Sequence, residues 1–249
     1  VTIREQVIQN VLRDPSALRA VPPRGILHRA IRTDVVSVLP QAPVVGDEVY
    51  LTVDASTRAV ANMLYLATGW VQVGAPPVVT ALTTTGVADG VEVYYVADSD
   101  NGIVWHFRYR AAGSESYPWE FVGGSSLRSE IATSQTTTNP AYVDLTTAGP
   151  SVTTPLAGDY ILHFGSDLNN SGANYSIAAV KIGAAATVDA DAVLAFSGSA
   201  SGVEVSVSRT MVKTALAAST ELKVQYKASA GTLAAARRFL YVTPARVGV

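Results

Sequence analysis

Two hydrophobic periods divide the chain. Near the start, Ile3, Val7, Ile8, Val11 and Leu12 recur at helical spacing, with Arg4, Glu5, Gln9 and Arg13 on the remaining faces. Thr2 and Glu5 stand in capping-box relation, each side chain able to satisfy the other residue's free backbone N–H. Asp14-Pro15 offers an N-cap and first helical residue for a second short turn, and Pro22-Pro23 closes it. The spacing predicts a helical arm over residues 1–33. From about Asp34 the period falls to two. "EVYLTVD" from Glu48 and "EVYYVAD" from Glu92 open alike, 44 residues apart. Each is followed by a second apolar strand ("NMLYLA", "IVWHFRYR") and then by a tryptophan-led strand ending in glycine ("GWVQVG", "PWEFVGG"). Trp70 and Trp119 are 49 residues apart, the extra positions falling in the looser "RAAGSES".

This pattern predicts two copies of a small antiparallel meander, over residues 34–77 and 78–127. Each tryptophan plugs a unit too small for a broad core. Gly74 and Gly123-Gly124 are expected to turn the chain out of the sheet. Residues 125–139 are rich in Ser and Thr and mark the next boundary. Beyond it, short alternating segments such as "GDYILHFGSDL", "GVEVSVSRTMV" and "RRFLYVTPARV" are separated by Gly, Asn, Asp and Ser. They predict a jelly-roll-like β-sandwich over residues 128–249. In "ELKVQYKA", Leu222, Val224 and Tyr226 point inward and Lys223, Gln225 and Lys227 outward. The expected fold class is therefore mainly β, with a short helical arm, duplicated meanders and a sandwich.

Composition narrows the chemistry. Of 249 residues, 48% are hydrophobic, enough for a real core, and only 15% are charged. The absence of cysteine excludes disulfides, thiolate metal sites and cysteine nucleophiles. A net charge of −2 gives no basis for a nucleic-acid partner. No apolar run approaches the roughly 20 residues that span a bilayer, and no secretory leader is visible. Positive charge gathers in the predicted arm, at Arg4, Arg13, Arg19, Arg24, Arg29 and Arg32, against Glu5 and Asp14. This arm reads as a docking segment for an acidic partner surface or as an ordinary solvated helix face.

No motif nominates a reaction. His28, His106 and His163 stand in separate segments without a second histidine at ligand spacing. Asp98, Asp100 and Asn101 read as a turn, because the later bidentate glutamate of a calcium loop is missing. "VDADA" at residues 188–192 reads the same way. A G-x-S-x-G elbow is absent, and "VGGSS" lacks the lysine of a phosphate cradle. The expectation is a non-enzymatic chain without a cofactor or metal. Trp105, Phe107, Tyr109, Tyr117, Trp119 and Phe121 form the densest aromatic cluster. They suit a core and subunit interface. Alternatively, Trp105, Tyr109, Tyr117 and Trp119 would stack on glycan rings or anchor a partner.

Residues 89–127, "DGVEVYYVADSDNGIVWHFRYRAAGSESYPWEFVGGSSL", resemble a module of tailed-bacteriophage virion proteins, particularly of phages infecting actinobacteria. The matching features are Asp-Gly, Glu-Val-x-Tyr, Trp-x-x-Arg-Tyr-Arg and Trp-Glu-Phe-Val-Gly-Gly. The stretch from "GDYILHFGSDLNN" to "RRFLYVTPARV" is similar to the β-sandwich that often follows that module. The resemblance implies a minor tail or fibre protein, a homotrimer at the tail or capsid surface. Its arm would bind other phage tail or capsid proteins while the sandwich projects toward the host surface. A capsid decoration protein without a receptor, a host-glycan lectin and a cell-wall hydrolase are the alternatives.

Overall fold

The computed structural model describes residues 35–36, 39–41, 43, 48–54, 59–66, 69–111, 116–196 and 203–249. The predicted helical arm, with Arg4, Arg13, Arg19, Arg24, Arg29 and Arg32, lies outside these residues, as does His28.

The first sheet is a meander of β1 (Val35–Val36), β2 (Glu48–Asp54), β3 (Ala59–Leu66) and β4 (Gly69–Gln72), in that spatial order. β1 runs parallel to β2, and the other neighbours are antiparallel. The next four strands repeat the plan: β5 (Val78–Val79), β6 (Glu92–Asp98), β7 (Ile103–Tyr109) and β8 (Trp119–Gly124). Again the two-residue strand is parallel and the rest antiparallel.

The registers coincide. Glu48 faces Leu64 and Glu92 faces Arg108; Leu51 faces Ala61 and Tyr95 faces Trp105; Tyr65 faces Trp70 and Tyr109 faces Trp119. Even the irregularity recurs, between Thr52 and Asp54 and between Val96 and Asp98. Such an extra residue sharpens the local twist, so both meanders curl alike. In each, the tryptophan meets the tyrosine opposite, with ring centroids at 5.3 Å and 5.1 Å. The units differ in bulk: Ala61 and Met63 of the first correspond to Trp105 and Phe107 of the second.

Of the paired glycines, only one has a backbone reason. Gly124 has φ +132°, and a Cβ there would lie 2.5 Å from the Val104 carbonyl oxygen. Gly123 has open space around it and continues the strand opposite His106. The turn out of the sheet therefore belongs to Gly124, and the expected role for Gly123 is corrected.

The remaining strands are β9 (Leu127–Ile131), β10 (Gln135–Thr137), β11 (Ser151–Thr153), β12 (Gly158–Asn170), β13 (Tyr175–Ile182), β14 (Ala192–Phe196), β15 (Val205–Leu216), β16 (Glu221–Ala228) and β17 (Leu233–Val247). One sandwich layer is β11-β16-β13-β14. The other is β15-β12-β17, and it continues through β8-β7-β6-β5, with β9 and β10 also paired to β17. The junction is made by Arg246 opposite Glu120 and Val247 opposite Trp119, so the main sheet spans the predicted boundary at residue 127.

The layers meet through Tyr160, Leu162, Phe164, Leu240 and Val242 on one side and Val180, Leu222, Val224 and Tyr226 on the other, all buried. Burial of this kind is the main source of stability in a two-layer β protein. The predicted alternation in β16 holds, with Leu222, Val224 and Tyr226 inside and the three polar residues facing out. The mainly β, sandwich-bearing architecture read from the pattern is the one observed.

Candidate functional site

Alternation along β7 decides the fate of the aromatic cluster. Ile103, Trp105, Phe107 and Tyr109 share one face, and that face is covered. Trp105 is completely buried, 6.4 Å from the Tyr160 ring, with its indole N–H donated to the Ser125 carbonyl at 2.8 Å. Trp119 is also buried and donates to the Thr83 carbonyl at 3.2 Å. Tyr109 lies against Trp119, its hydroxyl donating to the Thr84 carbonyl. The sugar-stacking reading of Trp105, Tyr109 and Trp119 is therefore corrected, because their ring faces are spent on the core. Tyr117 is half-buried over Gly248, where a Cβ would come within 2.9 Å of the ring.

The opposite face of β6 and β7 carries charge. Glu92 bonds His106 at 2.9 Å and Arg108 at 2.6 Å, and its backbone N–H donates to the Gln72 side chain of the first meander at 2.6 Å. Burial pushes the Glu92 carboxyl up, but the bonds from Arg108 and His106 outweigh it and hold the group below its ordinary value. At the β6–β7 turn, Asp98 accepts the backbone N–H groups of Asp100 and Asn101, both at 3.0 Å, and the Asn101 amide at 2.8 Å. This is a self-satisfied Asx turn. Among the described residues, no three His, Asp or Glu side chains gather to hold a metal.

The outward face of the sandwich carries a feature that sequence reading did not single out. On β17, Leu240 and Val242 point inward, so Phe239 and Tyr241 point outward. On β12, His163 lies opposite Tyr241 and Gly165 opposite Phe239. The rings of His163, Phe239 and Tyr241 are 5.2 to 6.2 Å apart and inclined by only 30° to 39° to one another.

Gly165 explains the flatness. A Cβ there would lie 2.7 Å from Phe239 Cζ, so the ring lies down on bare backbone instead of standing off the sheet. Tyr241 is fixed by its hydroxyl, which donates to Glu130 at 2.6 Å; that bond, with burial, pushes the phenol up. His163 Nδ1 is 2.8 Å from the Thr210 hydroxyl. Beside Tyr241 the ledge opens into a cleft of about 470 Å³, walled by Asn101, Gly102, Gly124, Ser126 and Arg128. The alternation of "RRFLYV" was legible, but the partner glycine lies more than seventy residues upstream and no local signal joins the two.

A second, more open groove of about 660 Å³ lies over Lys181, Gln225 and Lys227. Its charges are largely engaged: Asp189 takes Lys227 at 2.5 Å and the Tyr142 hydroxyl at 2.7 Å.

No protein-family model matches the chain, and no curated protein matches it in sequence. Solved structures similar to parts of it include Eiger TNF from S. frugiperda, at 13% identity over 48% of this chain and 92% of that one, with a TM-score of 0.33. The infectious bursal disease virus Gt strain structure is similar at 14% identity over 57% of this chain, which spans 42% of the viral chain, with a TM-score of 0.29. An exo-beta-1,3-galactanase from Phanerochaete chrysosporium gives 13% identity over 79% of this chain and 68% of that one, with a TM-score of 0.25. At such scores none of these bears on what this chain does. What its own coordinates define is a class, a mainly β protein built of two meanders in series and a sandwich.

Proposed function

We propose that this chain is a non-enzymatic structural component of a virion, a fibre- or appendage-type protein at the tail or capsid surface of a tailed phage. The observation that carries this reading is serial construction. One meander is followed by its register-matched copy, and the copy continues directly into the sheet of a sandwich. Repeated modules leading to a larger head suit a part that must hold a domain away from a body. The motif resemblance of residues 89–127 to phage virion modules supports the same reading. On this reading the partners are further copies of the chain, as a homotrimer, and the tail or capsid proteins that receive residues 1–33.

Mass spectrometry of purified particles tests it directly. The full chain is expected in the particles, and a chain lacking residues 1–33 is expected to keep its circular dichroism yet be missing from them. Absence of the full chain overturns the virion role, whereas retention of the shortened chain overturns only the arm. Sedimentation of the isolated protein as a monomer would remove the trimer.

A further inference from the structure

We propose that the outer face of β12, β17 and β9 is a binding site for a neutral oligosaccharide. Pyranose rings would lie on His163, Phe239 and Tyr241, and their hydroxyls would be held from the cleft beside Tyr241. This goes beyond the virion reading and does not depend on it.

Three observations carry the inference. The first is shape. A ring that projects from a surface serves to fill a partner's pocket, whereas these three lie nearly parallel and half-exposed, Phe239 pressed onto Gly165. Such a ledge offers π faces to a flat apolar surface, which is what the C–H face of a pyranose presents.

The second is the polar rim. The exposed Arg128 guanidinium makes no ion pair among the described residues, and Asn101 uses its amide N–H on Asp98, leaving its carbonyl oxygen open. The Glu130 carboxylate spends Oε1 on Tyr241 and keeps Oε2. Fixed donors and acceptors beside an apolar face match a ligand with hydroxyls around an apolar ring. The third is charge. Glu130 lies on the rim, Asp98 and Asp100 in the turn that forms one wall, and together they outnumber Arg128. An anionic sugar would meet net negative charge, so the site selects a neutral one.

The test is titration of the full chain with cellohexaose, maltohexaose and β-1,4-galactohexaose, with hexagalacturonate as the charged comparison, read by calorimetry and saturation-transfer NMR. At least one neutral hexaose is expected to bind in the millimolar range or tighter, with transfer to its ring C–H protons. Arg128→Ala, at an exposed position, and Tyr241→Ala are each expected to weaken it by about tenfold or more. Leu194→Ala, on the outer face of the opposite layer, should leave it unchanged.

The proposal is overturned if no neutral hexaose binds, if both site substitutions leave binding intact, or if hexagalacturonate is preferred. It is equally overturned if sedimentation shows that Arg128→Ala or Tyr241→Ala abolishes self-association, because the ledge is then a contact between copies. None of these outcomes alters whether the chain is found in particles, so the two readings fail separately.

Discussion

Arg238 is the least conventional residue of the core. Its side chain is fully buried, and among the described residues no carboxylate pairs with it. Its charge is met by dipoles instead: the Thr147, Gly149 and Thr133 carbonyls at 3.1, 3.3 and 3.5 Å, and the Gln135 side chain at 3.1 Å. A planar fork is needed to reach four acceptors that lie on different parts of the loop. The Arg238→Leu change therefore strands several carbonyls and is expected to cost about 3 kcal/mol, read as a lower urea midpoint. Arg238→Lys should recover little, because an ammonium lacks the fork. The glycine pair allows a matched comparison. Gly124→Ala forces a Cβ into the Val104 carbonyl at positive φ and is expected to cost about 2 kcal/mol. Gly123→Ala, with open space, should shift stability by less than about 0.5 kcal/mol.

At the scale of elements, the duplicated meanders invite a comparison of corresponding pairs. Glu48 accepts the neutral Asn62 amide at 2.6 Å, and at the same positions of the second unit Glu92 meets His106, with Arg108 added. Glu92 is held below its ordinary value of 4.5 in the fold, so the unfolded chain takes up a proton there first. Its contribution is complete above that pH and drains away as the pH falls through the lowered value. Thermal melts of Glu92→Gln and of the natural chain should therefore differ at neutral pH and converge on acidification; a constant gap would assign the loss to something other than ionisation. The strands of this unit were legible because Glu-Val-Tyr recurs and polar and apolar residues alternate cleanly. The parallel strands β1 and β5 were not, since two consecutive valines carry no period. Trp105 was misjudged as a possible outer contact because alternation reveals two faces but not which one another layer will cover. The covering residue, Tyr160, belongs to the sandwich. The ledge of Phe239 and Tyr241 failed to register for the converse reason, its flatness depending on Gly165 of a distant strand.

For the molecule as a whole, β17 is the spine. It pairs with β12 along most of its length, with β9 and β10 beside it, and ends against β8. Val247 is buried between Gly158 and Trp119, so the sandwich and the second meander share a strand. Denaturation followed by tryptophan fluorescence and by far-UV circular dichroism is expected to give one midpoint, and Val247→Asp should lower both signals together. Separated midpoints would mean that the shared strand does not couple the two parts. The placement of β17 also bears on biosynthesis. A ribosome makes the flanking strands β8 and β12 long before residues 233–247 emerge, so a growing polypeptide carries two bare hydrogen-bonding edges with nothing between them. Closure of the main sheet waits for its centre, and during that interval neighbouring nascent chains can supply the missing strand to each other.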